Sequence, residues 1–216
     1  FGQIGHGGYL TTGNQGLAGD DLVVLSGSGV FLHGNTALRS YAMVGNGGHT
    51  SIGNVSGSIF VNVDPLTGLP DGGGDILLGG GSGIDAFSQI GHAGKLSVGT
   101  KIGDISVATA TGGISLVGAS GGGDSYAQIG HGGVSASGNG SGNISLRALG
   151  VDADIDLLGG GGSQAMVMVG HGGTLANGTH GSVNDTISLE ATRDIRLVGG
   201  STGNALVHVG NGGLAN

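Results

Sequence analysis

Tyr126-Ala127-Gln128-Ile129-Gly130-His131-Gly132-Gly133 is the clearest copy of a stretch that the chain repeats six times. The others run over 1–8, 41–48, 87–94, 166–173 and 206–213. The polar position just before the closing Gly pair holds His6, Asn46, His92, His131, His171 and Asn211. These recur at a period of roughly 40 residues, with one longer interval between Asn46 and His92. A fixed period in this range marks a stack of like units, each burying its apolar face against its neighbours. The repeats fall at about 1–40, 41–86, 87–125, 126–165 and 166–205, with a partial copy over 206–216.

Each period carries the same parts in order. The signature is followed by a short segment such as Val134-Ser135-Ala136-Ser137 and then a Gly/Asn turn. Two apolar-polar-apolar triplets come next, for example Ile144-Ser145-Leu146 and Ile155-Asp156-Leu157. Alternation of this kind is the signature of strands with one face in and one face out. Helical periodicity is missing, and β-branched residues dominate the strands. The predicted fold is all-β: a parallel β-helix, or β-solenoid, in which each coil pairs with the one above. Two coil lengths are open. Coils of about 20 residues make two per period and a segment roughly 50 Å long; one wide coil per period is the other reading.

Composition sharpens this. The chain has 216 residues, 55 of them Gly, with two Pro, no Cys and no Trp. So much Gly usually signals disorder. Here only 9% of residues are charged, and the apolar clusters are regular. Gly is therefore read as marking turns between strands. The net charge is −8, without clustered Lys or Arg. That argues against a nucleic-acid partner. No apolar run is long enough to cross a bilayer. The chain opens in mid-repeat without a signal peptide, which is read as a piece of a larger exported polypeptide.

One period departs from the rest. Asp64-Pro65-Leu66-Thr67-Gly68-Leu69-Pro70-Asp71-Gly72-Gly73-Gly74-Asp75 holds both prolines and accounts for the longer interval. Pro cannot donate to a central ladder, so 64–75 is expected to bulge out as a loop. Such a loop is either a tolerated insertion or a seat of binding specificity.

Gly142-Asn143-Ile144-Ser145-Leu146-Arg147-Ala148, followed by Asp154-Ile155-Asp156-Leu157-Leu158-Gly159-Gly160, resembles the repeats of bacterial filamentous-haemagglutinin-like exoproteins of the two-partner secretion type. So does Thr186-Ile187-Ser188-Leu189-Glu190-Ala191-Thr192 with Asp194-Ile195-Arg196-Leu197-Val198-Gly199-Gly200. The resemblance implies a right-handed parallel β-helix, an extracellular or cell-surface location, and a role as an adhesin or structural component of a surface fibre. Its expected partners are further copies of itself, head-to-tail or lateral, and host or cell-surface glycans. The family's secretion domain has no counterpart here.

Three columns follow from the repeat. Ile4, Val44, Ile90, Ile129, Val169 and Val209 are expected in the core. His6, Asn46, His92, His131, His171 and Asn211 are read as a ladder hydrogen-bonded along the axis, as amide ladders are in cross-β stacks. A metal array is the competing reading, because neutral imidazole binds metals. Asn at two rungs and no carboxylate or Cys at a fixed offset weigh against it. Phe1, Tyr41, Phe87, Tyr126, Met166 and Leu206 lie on the opposite face of the strand. They are read as an outward apolar stripe for lateral contact, with inward tucking as the alternative.

Other motifs carry less. Gly80-Gly81-Ser82-Gly83-Ile84-Asp85-Ala86-Phe87 matches a calcium nonapeptide on paper, but tandem copies are needed and the neighbouring periods break it. Ca is the one cofactor considered, and none is expected. Asn54, Asn139, Asn143, Asn177 and Asn184 head Asn-X-Ser/Thr sequons, in turns where these residues are common anyway. Glu190 is the only Glu. The paired carboxylates of a glycan-cleaving β-helix are thus poorly supplied, and no enzyme is expected. Only Thr11-Thr12 hints at the regular threonine rows of an ice-binding solenoid.

Overall fold

The computed structural model describes residues 1–17 and 19–213. Among these there is no helix. The alternating triplets build two walls. The first wall stacks Leu22–Val24, Ile59–Val61, Ile105–Thr109, Ile144–Ala148 and Ile187–Ala191. The second stacks Gly29–His33, Asp75–Gly79, Ile114–Val117, Ile155–Leu158 and Ile195–Val198. A six-stranded signature sheet runs from Gly2–Ile4 through Ala127–Ile129 to Val207–Val209. A short corner sheet of Val55–Ser56, Lys101–Ile102 and Gly140–Ser141 completes the section.

All pairings between these strands are parallel, and each joins residues one full period apart. Ile105 sits between Ile59 and Ile144, and Ile114 between Ile76 and Ile155. Each period is therefore one wide coil, and the shorter coil is corrected. The two triplets of a period do not pair with each other; they form different walls. Five layers at about 4.8 Å make a stack roughly 24 Å tall, half the length that short coils would give.

Inward side chains repeat in columns, so like packs on like. The wall residues Ile59, Ile105 and Ile144 and the facing Leu78, Leu116 and Leu157 are fully buried, in one cluster with Val44, Ile90, Ile129 and Val169. Ile4, in the first turn, remains 49% exposed, and Val209, in the last, is partly buried.

The expected lateral stripe is overturned. Tyr41, Phe87, Tyr126 and Met166 are buried and form a second core with Met43, Val134 and Met168. Their rings stack along the axis: Phe1 on Tyr41 at 4.9 Å, Tyr41 on Phe87 at 4.8 Å, Phe87 on Tyr126 at 4.7 Å, all within 5° of parallel. The reason lies in the closing Gly pair. It turns the chain back so that the following segment lies over the rings. A Cβ at Gly94 would stand 2.6 Å from Phe87 Cζ. Only glycine lets the backbone approach that closely. Both faces of the signature strand are thus covered. Only the terminal members differ: Phe1 is exposed and Leu206 partly so.

The 64–75 segment leaves the wall as a small hairpin. Val63 and Pro70 form an antiparallel bridge, and Asp64 caps the turn by accepting from the Leu66 N–H at 2.9 Å and the Thr67 hydroxyl at 2.8 Å. Pro70 sits on the edge of this bridge, where a missing N–H is tolerated.

The imidazole and amide column as candidate functional site

The column at the end of the signature strand is built from the backbone outward. Each strand ends in a Gly in the left-handed region, with φ of 153° at Gly91 and 152° at Gly130 and Gly170. A Cβ at any of these would overlap the carbonyl of the equivalent Gly one turn on. This close approach turns the next side chain, His or Asn, into the interior.

There the rungs bond in a relay. The backbone N–H groups of Asn46, His92 and His131 donate to Nδ1 of His92, His131 and His171 at 3.0, 3.0 and 3.2 Å. Those of His6 and His171 donate to Oδ1 of Asn46 and Asn211, both at 2.9 Å. Nδ1 and Oδ1 lie the same number of bonds from Cα, which is why Asn replaces His without disturbing the ladder. The far ends are also tied. Nε2 of His92, His131 and His171 lies 2.6, 2.7 and 2.8 Å from the carbonyls of Gly57, Gly103 and Gly142. Asn46 Nδ2 donates to Ser56 O at 3.1 Å.

An Nδ1 that accepts from an N–H carries no proton, so the proton resides on Nε2 and is donated to the carbonyl. All three rings are held as the neutral Nε2–H tautomer. They stack at 4.8 and 4.7 Å. Burial pushes His92 down to about 4 and His131 well below the ordinary imidazole range, the neighbouring rings adding to the effect. His171 is lowered too, chiefly by burial, against a raising contribution from its bond to Gly142. A metal array would require nitrogen lone pairs free to converge on an ion; here Nδ1 of each ring is spent on a backbone N–H. Among the described residues, no group of three or more His, Cys, Asp or Glu is placed to hold a metal.

Two neighbouring features escape a reading of the sequence. Gln89 and Gln128 are buried beside the aromatic column. Gln128 Nε2 donates to the carbonyls of Gly170 and Gly172 at 3.0 and 2.9 Å, and Gln89 does the same to Gly130 and Gly132. These amides clamp the tight turn of the next coil. Their recurrence at 3, 89 and 128 is the available signal. The second feature is Lys101, buried at the corner sheet between Val55 and Gly140. Its Nζ donates to Ser137 O at 2.8 Å, and burial lowers its pKa to about 8.

The remaining predicted positions are scattered. Asp85, the carboxylate of the calcium-like stretch, faces Lys95, which also reaches Asp124 at 2.6 Å; His49 Nε2 and Arg39 Nε approach it at 3.6 and 3.8 Å. The five sequon asparagines are all exposed. Asn54 and Asn139 accept from the N–H groups of Thr100 and Thr179, and Asn143 from that of Thr186, so they also serve as outer rungs. Glu190 pairs with Arg147 on the outside of the first wall.

No protein-family model, curated protein or solved structure matches the chain.

Proposed function

We propose that this chain is a structural segment of an extracellular bacterial fibre or adhesin, of the filamentous-haemagglutinin-like kind its wall repeats resemble. The observation that carries the reading is the uniformity of the turns. Every described turn repeats the same parallel strands, and the core column and the imidazole and amide ladder run along the axis through them. Like turns stacked in register extend along one axis, as a fibre requires.

Self-association is part of the proposal, with one constraint from the topology. The signature sheet has six strands where each wall has five. A second copy stacked in register on the walls would bring its 1–8 stretch to the layer already held by 206–213. Non-covalent elongation then requires one of the two to give way, whereas a turn continuing in the same polypeptide meets no such conflict. Immunogold labelling of the source cells with antibodies to this chain, read by negative-stain microscopy, tests the reading. Decorated surface fibres are expected; label confined to the cell interior overturns it.

A second reading, a glycan- or surface-binding module, is favoured by the 64–75 hairpin, where Leu66 is 94% exposed. Loss of glycan-array binding on deletion of 65–69 would select it.

A further inference from the structure

The geometry points to an acid-operated lock in the solenoid: proton uptake by the stacked imidazoles of His92, His131 and His171 breaks the relay between consecutive turns, while the Asn rungs on either side hold. This regulation is independent of the fibre reading.

The argument starts from the bonds. A protonated imidazole is a donor at both nitrogens. Nε2 already donates to a carbonyl, so the added proton must go to Nδ1. Nδ1 faces the backbone N–H of the preceding turn, and the attraction there becomes donor against donor. The three ring centres also lie only 4.8 and 4.7 Å apart. A second charge therefore meets the first through buried, poorly screened space. Protonation of any one ring favours opening of the column.

The surroundings do little to offset this. The corner sheet faces the column with Lys101, whose positive charge opposes protonation of His131. His180, packed against Gly172, opposes protonation of His171. Each ring's bond to a carbonyl favours its protonated form, but burial outweighs it, and only His171 has carboxylates, Asp185 and Asp104, adding to that help. Folded-state imidazoles held below their ordinary range give a definite sign. The stability of the column is complete above about pH 6.5, the unfolded imidazole value. It is lost as pH falls towards and through the folded values, about 4 for His92. The amide oxygens of Asn46 and Asn211 accept the same backbone N–H bond without a titrating group, so opening is confined to the turns between them.

The native asparagines supply the test. The variant H92N/H131N/H171N keeps an Oδ1 acceptor and an Nδ2 donor at every rung, as Asn46 does. Amide hydrogen exchange, corrected for intrinsic rates, is followed from pH 7.5 to 4 on the full chain and on the variant. In the full chain, the N–H groups of Asn46, His92 and His131 are expected to lose at least about tenfold more protection than the wall amides of Leu146 and Leu157. In the variant this excess disappears, although all carboxylates still titrate. Equal losses in chain and variant, or no excess loss in the full chain, overturn the proposal. If the triple variant does not fold, H131N at the centre of the stack is used: a reduced excess supports the lock and an unchanged one overturns it. Ring 15N shifts at pH 7 give a second readout; a proton found on Nδ1 rather than Nε2 overturns it outright.

Discussion

Ile129 and Ile4 occupy the same column, one in the fourth turn and one in the first, and truncating each measures how much the stack itself contributes. Ile129 is fully buried between Ile90 and Val169, whereas Ile4 is paired on one side only and 49% exposed. Ile129→Ala removes three carbons from a site walled on both sides. At about 0.8 kcal/mol per carbon the transfer contribution is roughly 2.4 kcal/mol, and the residual cavity raises the loss to about 3–4 kcal/mol. Ile4→Ala forfeits about half of the transfer contribution and leaves no enclosed cavity, so about 1 kcal/mol is expected. A solenoid opens in segments, and a single melting temperature blends them. Native-state hydrogen exchange of the amides in strands 127–129 and 2–4 reads each site separately. A loss below about 0.5 kcal/mol at Ile129, or equal losses at the two sites, would refute the assignment of this column to a core whose worth depends on neighbours above and below.

The remaining predictions concern the backbone and the corner. Gly130→Ala places a Cβ against the Gly170 carbonyl at a φ of +152°. A loss of more than about 2 kcal/mol is expected in the local exchange of the fourth turn. At Gly199 a Cβ would find nothing within 4 Å. Gly199→Ala should therefore stay within about 0.5 kcal/mol and serves as the control. Burial lowers the Lys101 pKa to about 8, and the ammonium is still charged at pH 7. Lys101→Met should then stabilise the chain by about 2–3 kcal/mol at that pH. The advantage should fade as pH rises from 8 towards the unfolded lysine value of about 10.4, above which both states are neutral; urea titrations at pH 7 and 10 check it.

The walls are legible because Ile144-Ser145-Leu146-Arg147-Ala148 and its equivalents alternate with one face open to water, and both faces therefore leave a mark on the sequence. Coil length is not legible. Two similar triplets in one period look like two short coils, and only the pairing of Ile105 with Ile144 rather than Ile114 separates the readings. The aromatic column is hidden for another reason. Alternation distinguishes two faces, but when both are buried neither carries a polar label, and the covering segment is too small and too polar to announce itself. Backbone conformation is hidden as well. Leu10, Thr50, Leu96, Ser135 and Leu175 all adopt φ between 56° and 59°. None of these residue types favours that left-handed conformation. The packing of the turn imposes it, so no local propensity could reveal it. The ladder, by contrast, is readable from the exchange of His for Asn, since the two share an acceptor at one reach and little else.

That exchange also explains how an insertion survives inside so regular a stack. The interval between Asn46 and His92 is 46 residues, yet the Asn46 N–H still meets His92 Nδ1 at 3.0 Å, and Val55 still pairs with Lys101. The extra residues all lie between Val63 and Ile76, after the first-wall strand and before the second. Neither wall registers them, because Ile59 and Ile76 keep the partners Ile105 and Ile114. A corner can lengthen at a loop-closure cost of only about 0.6 kcal/mol per doubling, whereas a single residue added within a wall would turn its core face outward. The corner between the walls is therefore a place where chemistry can change without the fold changing. The 64–75 hairpin uses it: its Gly68 carbonyl accepts from Arg147, two turns along the axis, and this contact spans the intervening turn and fixes the base from which Leu66 projects.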